Sequence, residues 1–189
     1  MDYDYDVVIV GAGPVGGYAS RLLCERGLSV LMIEEHTEIG RPFQCAGLVT
    51  PSAMHAVEAY GTVVQDVDGA LIHGPSGTQV PVGKDGDLRT YVVCRKRFDQ
   101  EVVQQGLKAG ADIMLESQPT DAVVQSDGVI VTINNQRTEA KRQVTCKLFI
   151  GCDGAHSWVR RKFKMGHPKE MMVGFQAEVV GYEGKNRWL

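Results

Sequence analysis

Two short apolar runs near the start of the chain predict buried strands. Residues 5–10 have the sequence YDVVIV, and residues 28–33 form a second run of the same kind. Consecutive β-branched residues without polar alternation are typical of strands that are covered on both faces, as in parallel sheets. Between the two runs, apolar residues recur at helical spacing at Val15, Ala19, Leu22 and Leu23. This order predicts a strand, a helix and a parallel strand joined by a right-handed crossover.

Turn and cap signals divide the rest of the chain into further elements. Thr50 followed by Pro51 predicts a helix start, and residues 98–107 have the spacing of an amphipathic helix. Turn residues at 73–78 and at 126–128 each predict an antiparallel hairpin. Further strands are expected at 91–94, 113–116, 144–150 and 173–182, and a short basic helix at 156–164. The expected fold class is α/β, a parallel sheet with antiparallel β-hairpin insertions.

Composition narrows the class of protein. The chain has 189 residues, 43% of them apolar and 23% charged, with a formal net charge of −3. A nucleic-acid-binding protein is usually basic, so this charge does not indicate one. No apolar run reaches the length of a membrane span. The acidic start does not resemble a signal peptide, and the number of cysteines, five, is odd, which does not favour a disulfide framework. We therefore expect a protein of the reducing cytoplasm. Neither the cysteines nor the histidines have metal-ligand spacing, so no metal site is expected.

The residues between the first predicted strand and helix fit the pattern G-x-G-x-x-G, with glycines at Gly11, Gly13 and Gly16. The first glycine allows a tight turn, the second lets the backbone approach a pyrophosphate, and the third lets the helix pack closely. Glu34 ends the second strand 23 residues after Gly11, where a carboxylate binds the two hydroxyls of an adenosine ribose. The alternative is a plain tight turn with a solvated acid at a strand end.

The organisation after the second strand favours FAD over a nicotinamide cofactor. A long loop follows, then a hairpin, a new helix, a second hairpin and a second glycine break at Gly151–Gly154. A nicotinamide-binding domain would instead continue with a helix and another parallel strand. The distance from adenine to flavin requires contacts from segments that are far apart in sequence. We therefore expect a Rossmann-like FAD-binding domain.

Three segments and one shorter motif together resemble the FAD-dependent geranylgeranyl reductase family, within the p-hydroxybenzoate-hydroxylase-like flavoproteins. The segments are DVVIVGAGPVGG at 6–17, EIGRPFQCAGLV at 38–49 and IGCDGAHSWVR at 150–160, and the motif is RKRFD at 95–99. The outer segments are shared by the whole flavoprotein group. The segment at 38–49 is more discriminating and is similar to archaeal reductases that saturate the isoprenoid chains of membrane lipids.

The resemblance implies the same FAD contacts at the matching positions. Val15 would offer its backbone to the pyrophosphate, and Glu34 would hold the ribose. Arg95 would reach the diphosphate or its linker, because a guanidinium makes charge-assisted hydrogen bonds to phosphate. Asp153 and Gly154 would form a second turn close to FAD. Two simpler interpretations stay open: Arg95 as one of several surface cations, and Asp153 as an ordinary helix cap.

The loop after Gly40 is expected at the flavin end of the site. By the same resemblance, Cys45, Ala46 and Leu48 would lie along the flavin, mostly through their backbone. Cys45 could instead be a small buried hydrophobic residue. No catalytic residue is assigned from the sequence.

The resemblance implies an oxidoreductase that uses FAD to reduce C=C bonds of isoprenoid (geranylgeranyl) chains in membrane lipid biosynthesis. Its partners would be the isoprenoid lipid and an external electron donor, either NAD(P)H or ferredoxin, with no nucleic acid. The basic helix at 156–164 could also meet an anionic membrane surface peripherally. The alternatives are a flavin monooxygenase or halogenase of the same fold, and a non-catalytic FAD-binding or electron-transfer module.

We expect residues 1–170 to form the FAD-binding domain and residues 171–189 to begin the sheet of a substrate domain. A chain of this length cannot hold both a tunnel for a polyprenyl lipid and a full FAD site. The expectation is therefore that the chain is the front portion of a larger two-domain flavoprotein.

Overall fold

A six-stranded mixed sheet forms the larger of two units into which the chain divides. The computed structural model describes residues 2–42, 45–177, 180–181 and 187–188. The larger unit consists of Met1–Arg41 and Asp99–Glu170, and the smaller unit consists of Pro42–Phe98 and Met171–Leu189. The elements in chain order are β1 (Tyr5–Val10), α1 (Pro14–Cys24), β2 (Val30–Ile33), β3 (Leu48–Val49), α2 (Pro51–Val57), a short 3₁₀ helix (Tyr60–Thr62), β4 (Val63–Val67), β5 (Gly69–His73), β6 (Gln79–Gly83), β7 (Thr90–Val93), α3 (Arg95–Lys108), β8 (Asp112–Met114), β9 (Ser117–Val124), β10 (Val129–Asn135), β11 (Lys141–Gly151) and α4 (Trp158–Lys162).

The strand order of the large sheet is β8-β2-β1-β11-β10-β9. β1 pairs in parallel with both β2 and β11, and β2 pairs in parallel with β8. The β9–β10 hairpin is antiparallel and extends the sheet beyond β11. The predicted α/β class, with a Rossmann-like parallel sheet and antiparallel hairpin insertions, is confirmed. The carboxyl ends of β1, β2 and β11 lie at one edge of this sheet, where such folds bind ligands.

The two central strands have apolar side chains on both faces. Alternate residues of β1 and β2, such as Val7 and Met32, form one cluster with Val103 of α3 and with partly buried residues of α1. The intervening residues, such as Val8 and Leu31, form a second cluster with side chains of β10 and β11. Because both faces are covered, an uninterrupted apolar run is what these strands require.

Helices α1 and α3 approach each other closely through small residues. A Cβ at Gly17 would lie 2.9 Å from the backbone of Val103, and a Cβ at Gly106 would clash with the hydroxyl of Ser20. The same hydroxyl donates to the carbonyl oxygen of Gly17 at 2.8 Å. The glycines allow the two helices to pack tightly. This packing fixes the position of α1, and therefore of its first residue, against the sheet.

The smaller unit contains two short antiparallel sheets. One has the order β3-β7-β4, and the other is the β5–β6 hairpin. Helix α2 begins as predicted at Pro51, and the hydroxyl of Thr50 accepts a hydrogen bond from the N–H of Ala53 at 3.3 Å. At the base of the hairpin, Arg187 donates two hydrogen bonds to the buried carboxylate of Asp68, at 2.6 and 2.8 Å. These hydrogen bonds with Arg187 lower the pKa of Asp68.

The strand predicted at 173–182 is wrong for residues 173–177, which the structure describes. Residues 173–177 form no strand, while Glu178, Val179 and Tyr182 of the predicted range lie outside the described residues. Val173 and Phe175 are both 96% exposed. A strand needs a neighbouring strand for its backbone hydrogen bonds, and an apolar β-branched pattern alone does not supply one.

Candidate functional site

The glycine-rich turn connects β1 to α1 at the carboxyl edge of the large sheet. Gly11 has a φ of +93°, which favours glycine. A Cβ at Gly11 would lie less than 3.0 Å from the backbone of Cys152 and Asp153, and a Cβ at Gly16 would clash with the carbonyl oxygen of Gly11. The first and third glycines of the motif are therefore required by packing within the protein.

Gly13 differs from the other two glycines of the motif. Its φ is −79° and its ψ is −172°, and a Cβ there would have no heavy atom of the described residues within 4 Å. The protein's own packing does not demand glycine at this position. The open space adjoins the start of α1, where the N–H groups of the first turn have no intrahelical acceptor, and Val15 beside it is 68% exposed. This space fits a diphosphate, which would approach the backbone where a side chain would block it.

Glu34 follows β2 and brings a carboxylate to the turn. Its residue is 9% exposed, and its Oε2 accepts a hydrogen bond from the N–H of Ala12 at 2.8 Å. Its Oε1 accepts from the N–H of His36 at 3.1 Å and lies 2.6 Å from Nδ1 of the same histidine. The alternative of a freely solvated acid does not describe this carboxylate, since it is buried and hydrogen-bonded to the turn.

A second turn after β11 lies against the first. The N–H of Cys152 donates to the carbonyl oxygen of Val10 at 2.7 Å, and Gly154 has a φ of +72°. Oδ2 of Asp153 accepts from the N–H of Val159 at 3.0 Å, while its Oδ1 is buried and has no hydrogen-bond partner among the described residues. The N-cap of α4 is Ser157, whose hydroxyl accepts from the N–H of Arg160 at 2.9 Å, so Asp153 is not the ordinary helix cap of the simpler interpretation. Asp153 supports the first turn of α4 from outside it and has a second oxygen for a ligand. Burial, and then the Asp153 carboxylate, raise the pKa of the Cys152 thiol.

The predicted flavin-side residues all belong to the smaller unit. Cys45 and Ala46 are exposed and Leu48 is 47% exposed, so the interpretation of Cys45 as a buried hydrophobic residue does not hold. Phe43 and Gln44 of the same segment lie outside the described residues. Gly47 has a φ of +79°, and its carbonyl oxygen accepts from the N–H of Val93 at 2.9 Å. This contact attaches the loop to the end of β7.

Arg95 is the first residue of α3 and is half-buried. It follows β7 by two positions, so the loop at 45–48 and the start of α3 are attached to the same strand. Within the smaller unit, the structure thus places Arg95 close in the chain to the strand end that holds the predicted flavin loop.

The larger unit therefore brings together one group of the predicted site residues, and the smaller unit carries the rest. The first group is Gly11, Gly13, Val15, Gly16, Glu34, Asp153 and Gly154; the second is Cys45, Ala46, Leu48 and Arg95. Sequence reasoning missed the contact between His36 and the carboxylate of Glu34. A local signal for it exists, because an acidic side chain commonly accepts from a backbone N–H two residues later in a turn, and His36 is the residue at that position.

Among the described residues, no helix is both long enough and apolar enough to cross a membrane.

Comparison with known proteins agrees with this geometry. Residues 4–186 match a family model described as an FAD binding domain. Digeranylgeranylglycerophospholipid reductase from Methanosarcina acetivorans is 33% identical over 161 residues, which are 83% of this chain and 39% of that protein. Digeranylgeranylglycerophospholipid reductase 2 from Methanopyrus kandleri is 32% identical over 189 residues, 95% of this chain and 46% of that protein. The chain thus spans less than half the length of these relatives.

A solved structure supports the same relationship. The crystal structure of a geranylgeranyl bacteriochlorophyll reductase-like protein from Thermoplasma acidophilum matches with a TM-score of 0.72 at 30% identity. The match covers 80% of this chain and 39% of that one. The predicted resemblance and the predicted cofactor are both confirmed. The chain belongs to the FAD-binding domain family.

Proposed function

We propose that this chain holds FAD in an oxidoreductase that reduces C=C bonds of geranylgeranyl chains in membrane lipid biosynthesis. The observation that carries the proposal is the open space at Gly13, in a turn whose other two motif glycines are closely packed. A diphosphate requires a closely packed turn in which one glycine leaves space beside the backbone for the phosphate oxygens. The substrate class is supported by the names of the relatives from Methanosarcina acetivorans and Methanopyrus kandleri.

The residues of the larger unit would hold the adenosine diphosphate end. Gly13 and the N–H of Val15 would face the diphosphate, and the carboxylate of Glu34 would accept from a ribose hydroxyl. Oδ1 of Asp153, which accepts no hydrogen bond from the described residues, would orient the part of the cofactor next to it. Gly154 next to it has open space where a Cβ would stand.

The residues of the smaller unit would serve the flavin end. Cys45, Ala46 and Leu48 would border the ring, and Arg95 would balance negative charge of the diphosphate or its linker. When bound, FAD supplies the hydride that saturates a double bond, and a proton completes the reaction. The protein's part is to hold the ring against the alkene and to exclude water.

The remaining expectations belong to the same proposal. Residues 1–170 would form the FAD-binding domain, and residues 171–189 would be the start of the substrate domain, although residues 173–177 form no strand. The electron donor would be NAD(P)H or ferredoxin. The protein would be cytoplasmic, and the basic residues of 156–164 would bring it to an anionic membrane surface to reach its lipid.

Reduction of a lipid by the purified protein at its natural full length tests the proposal. The protein is supplied with FAD, a reductant and a digeranylgeranylglycerophospholipid without oxygen, and the lipid is examined by mass spectrometry. We expect the gain of two hydrogen atoms per saturated bond. Gly13→Val is the matched control, because it removes the cofactor's space without a clash inside the protein.

Other results would separate the alternatives. Rapid formation of an oxygen adduct of the reduced flavin in air, with oxygen incorporated into an aromatic compound, would support a monooxygenase instead. Bound FAD without any lipid product would support a non-catalytic module. Failure to bind FAD at all would overturn the proposal as a whole.

A further inference from the structure

The most tightly connected side-chain pair near the glycine-rich turn is Glu34 and His36. Nδ1 of His36 lies 2.6 Å from Oε1 of Glu34, and the N–H of the same histidine donates to that oxygen at 3.1 Å. The histidine backbone is held as well, because its carbonyl oxygen accepts from the N–H of Glu116 at 3.1 Å. Its side chain is 44% exposed, whereas that of Glu34 is 11% exposed. A solvent-accessible ring is therefore attached to a buried carboxylate.

With Glu34 ionised, the geometry of the pair assigns a hydrogen to Nδ1 of His36. An ionised carboxylate only accepts hydrogen bonds, so a contact of 2.6 Å needs a hydrogen on Nδ1. His36 thus donates to Glu34 twice, once from its backbone and once from its ring. The same tautomer leaves Nε2 of the neutral ring as an acceptor.

Three of the acceptor positions of Glu34 are used within the protein. A carboxylate has about four lone-pair sites, two on each oxygen. Oε1 receives both hydrogen bonds from His36, and Oε2 receives the N–H of Ala12. Counting donors from the described residues only, one position on Oε2 is left, so the orientation of the carboxylate decides where that position points.

We propose that His36 is a positioning residue for Glu34, holding the carboxylate so that its one remaining acceptor position faces a ribose hydroxyl of the bound dinucleotide. This inference rests on the proposed function, since it takes the turn at Gly11–Gly16 as the dinucleotide site. His36 acts through Glu34 and needs no contact with the cofactor. Without the ring hydrogen bond, the carboxylate would rotate toward other donors and the ribose would lose its acceptor.

Substitutions that separate the hydrogen bond from the ring test the proposal. His36→Asn keeps a donor near the position of Nδ1, His36→Phe keeps a ring without a donor, and His36→Ala removes both. We expect FAD to bind about tenfold more weakly to the Ala and Phe variants, as for loss of one hydrogen bond to a charged group. The Asn variant should bind within about threefold of the unmodified protein. Affinity is measured by titration of flavin fluorescence.

A double-mutant cycle shows whether His36 acts through Glu34. In a Glu34→Ala background, His36→Ala should change FAD affinity by less than about twofold, because no carboxylate is left to position. An equal loss in both backgrounds, or rescue by Phe and not by Asn, would overturn the proposal. Glu34→Gln serves as the background if Glu34→Ala does not fold. If the unmodified protein binds no FAD, the proposed function fails first.

A measurement without cofactor tests the pair directly. Nitrogen-15 NMR of the His36 ring, at a pH where the ring is neutral, should show the hydrogen on Nδ1 in the cofactor-free protein. The same ring should shift toward the Nε2–H tautomer when Glu34 is replaced by alanine. A hydrogen found on Nε2 in the unmodified protein would contradict the inference whatever FAD does.

Discussion

The valines of β1 and those of the β5–β6 hairpin have opposite surroundings. Val8 in β1 is fully buried, whereas Val82 in β6 is 51% exposed. Both strands are rich in β-branched residues, but β1 has an unbroken apolar run and β6 alternates valine with other residues. In β1 the residues on both faces enter a core, while every residue of β6 is exposed.

The difference shows that the central strands of the larger unit and the hairpin of the smaller unit gain stability in different ways. The larger unit has an apolar core on each face of its central strands, and the glycine-rich turn continues directly from one of those strands. In the smaller unit, the hairpin depends on backbone pairing and on the hydrogen bonds between Asp68 and Arg187 at its base. Substitutions at the turn are therefore expected to act through the core or through the cofactor, according to which glycine is changed.

The largest effect is expected at Gly16. In Gly16→Ala the new Cβ would clash with the carbonyl oxygen of Gly11, a backbone atom that cannot move without shifting β1 or α1. We expect the free energy of unfolding to fall by about 3 kcal/mol, at the upper end of overpacking effects. Urea unfolding followed by circular dichroism measures it. A loss no larger than that of Gly13→Ala would show that the turn is not packed as described.

The second largest effect is expected at Gly13, where a substitution should weaken FAD binding without destabilising the fold. Gly13→Val places its side chain in open space with an unstrained backbone, so the fold should be retained. We expect FAD affinity to fall by about 100-fold, equivalent to about 2.7 kcal/mol, because the side chain occupies the space of the diphosphate. Isothermal titration with FAD measures this loss. Unchanged affinity in a folded variant would remove the turn from the cofactor site.

Substitutions at Val8 and Val82 form a matched pair, with smaller expected effects than those at the glycines. Val8→Ala should lower the free energy of unfolding by about 2 kcal/mol, because it leaves a cavity in the core. Val82→Ala should change it by less than about 0.5 kcal/mol, as for an exposed side chain. Chemical denaturation of both variants tests the contrast. Similar losses at both positions would mean that the hairpin face is covered in solution.

The smallest effect is expected for the pH dependence of stability that Asp6 of β1 contributes. Hydrogen bonds from Lys147 and then Ser29 lower the pKa of Asp6 to about 2, from an ordinary value of 3.8. The stability that this ionised carboxylate contributes is therefore fully present above pH 4 and is lost as the pH falls toward 2. The unfolding free energy of Asp6→Asn should depend less on pH over that range. An identical slope in both proteins would show that the contacts of Asp6 do not persist in solution.

Most elements were predictable because their signals are local. The apolar runs of β1 and β2, the cap of α2 by Thr50 and the turn at 126–128 each depend on neighbouring residues only. Where a partner distant in sequence is required, prediction was weaker. The pattern at 173–182 predicted a strand, but residues 173–177 form none, and β4 had no signal strong enough to predict it.

For the candidate site, the sequence indicated the residue types but not their partners. The spacing of Gly11 and Glu34 indicated a dinucleotide turn, yet it did not distinguish Gly13, whose space is open, from Gly11 and Gly16. It also assigned both ribose hydroxyls to Glu34, whereas the carboxylate already accepts three hydrogen bonds within the protein. The number of free acceptors depends on contacts that form only when β1 and β2 are side by side.

The sequence by itself determined the crossover of strand, helix and strand, the glycine-rich turn and the family, because these follow from periodicity and from motifs of adjacent residues. Only the tertiary structure decided which glycines serve packing and which leaves room for a ligand. It also decided that one buried oxygen of Asp153 has no hydrogen-bond partner in the described part of the chain and that His36 reaches the carboxylate of Glu34. The physical reason is that close packing and hydrogen-bond saturation are properties of atoms brought together across the chain, and these distances are not encoded in any one segment.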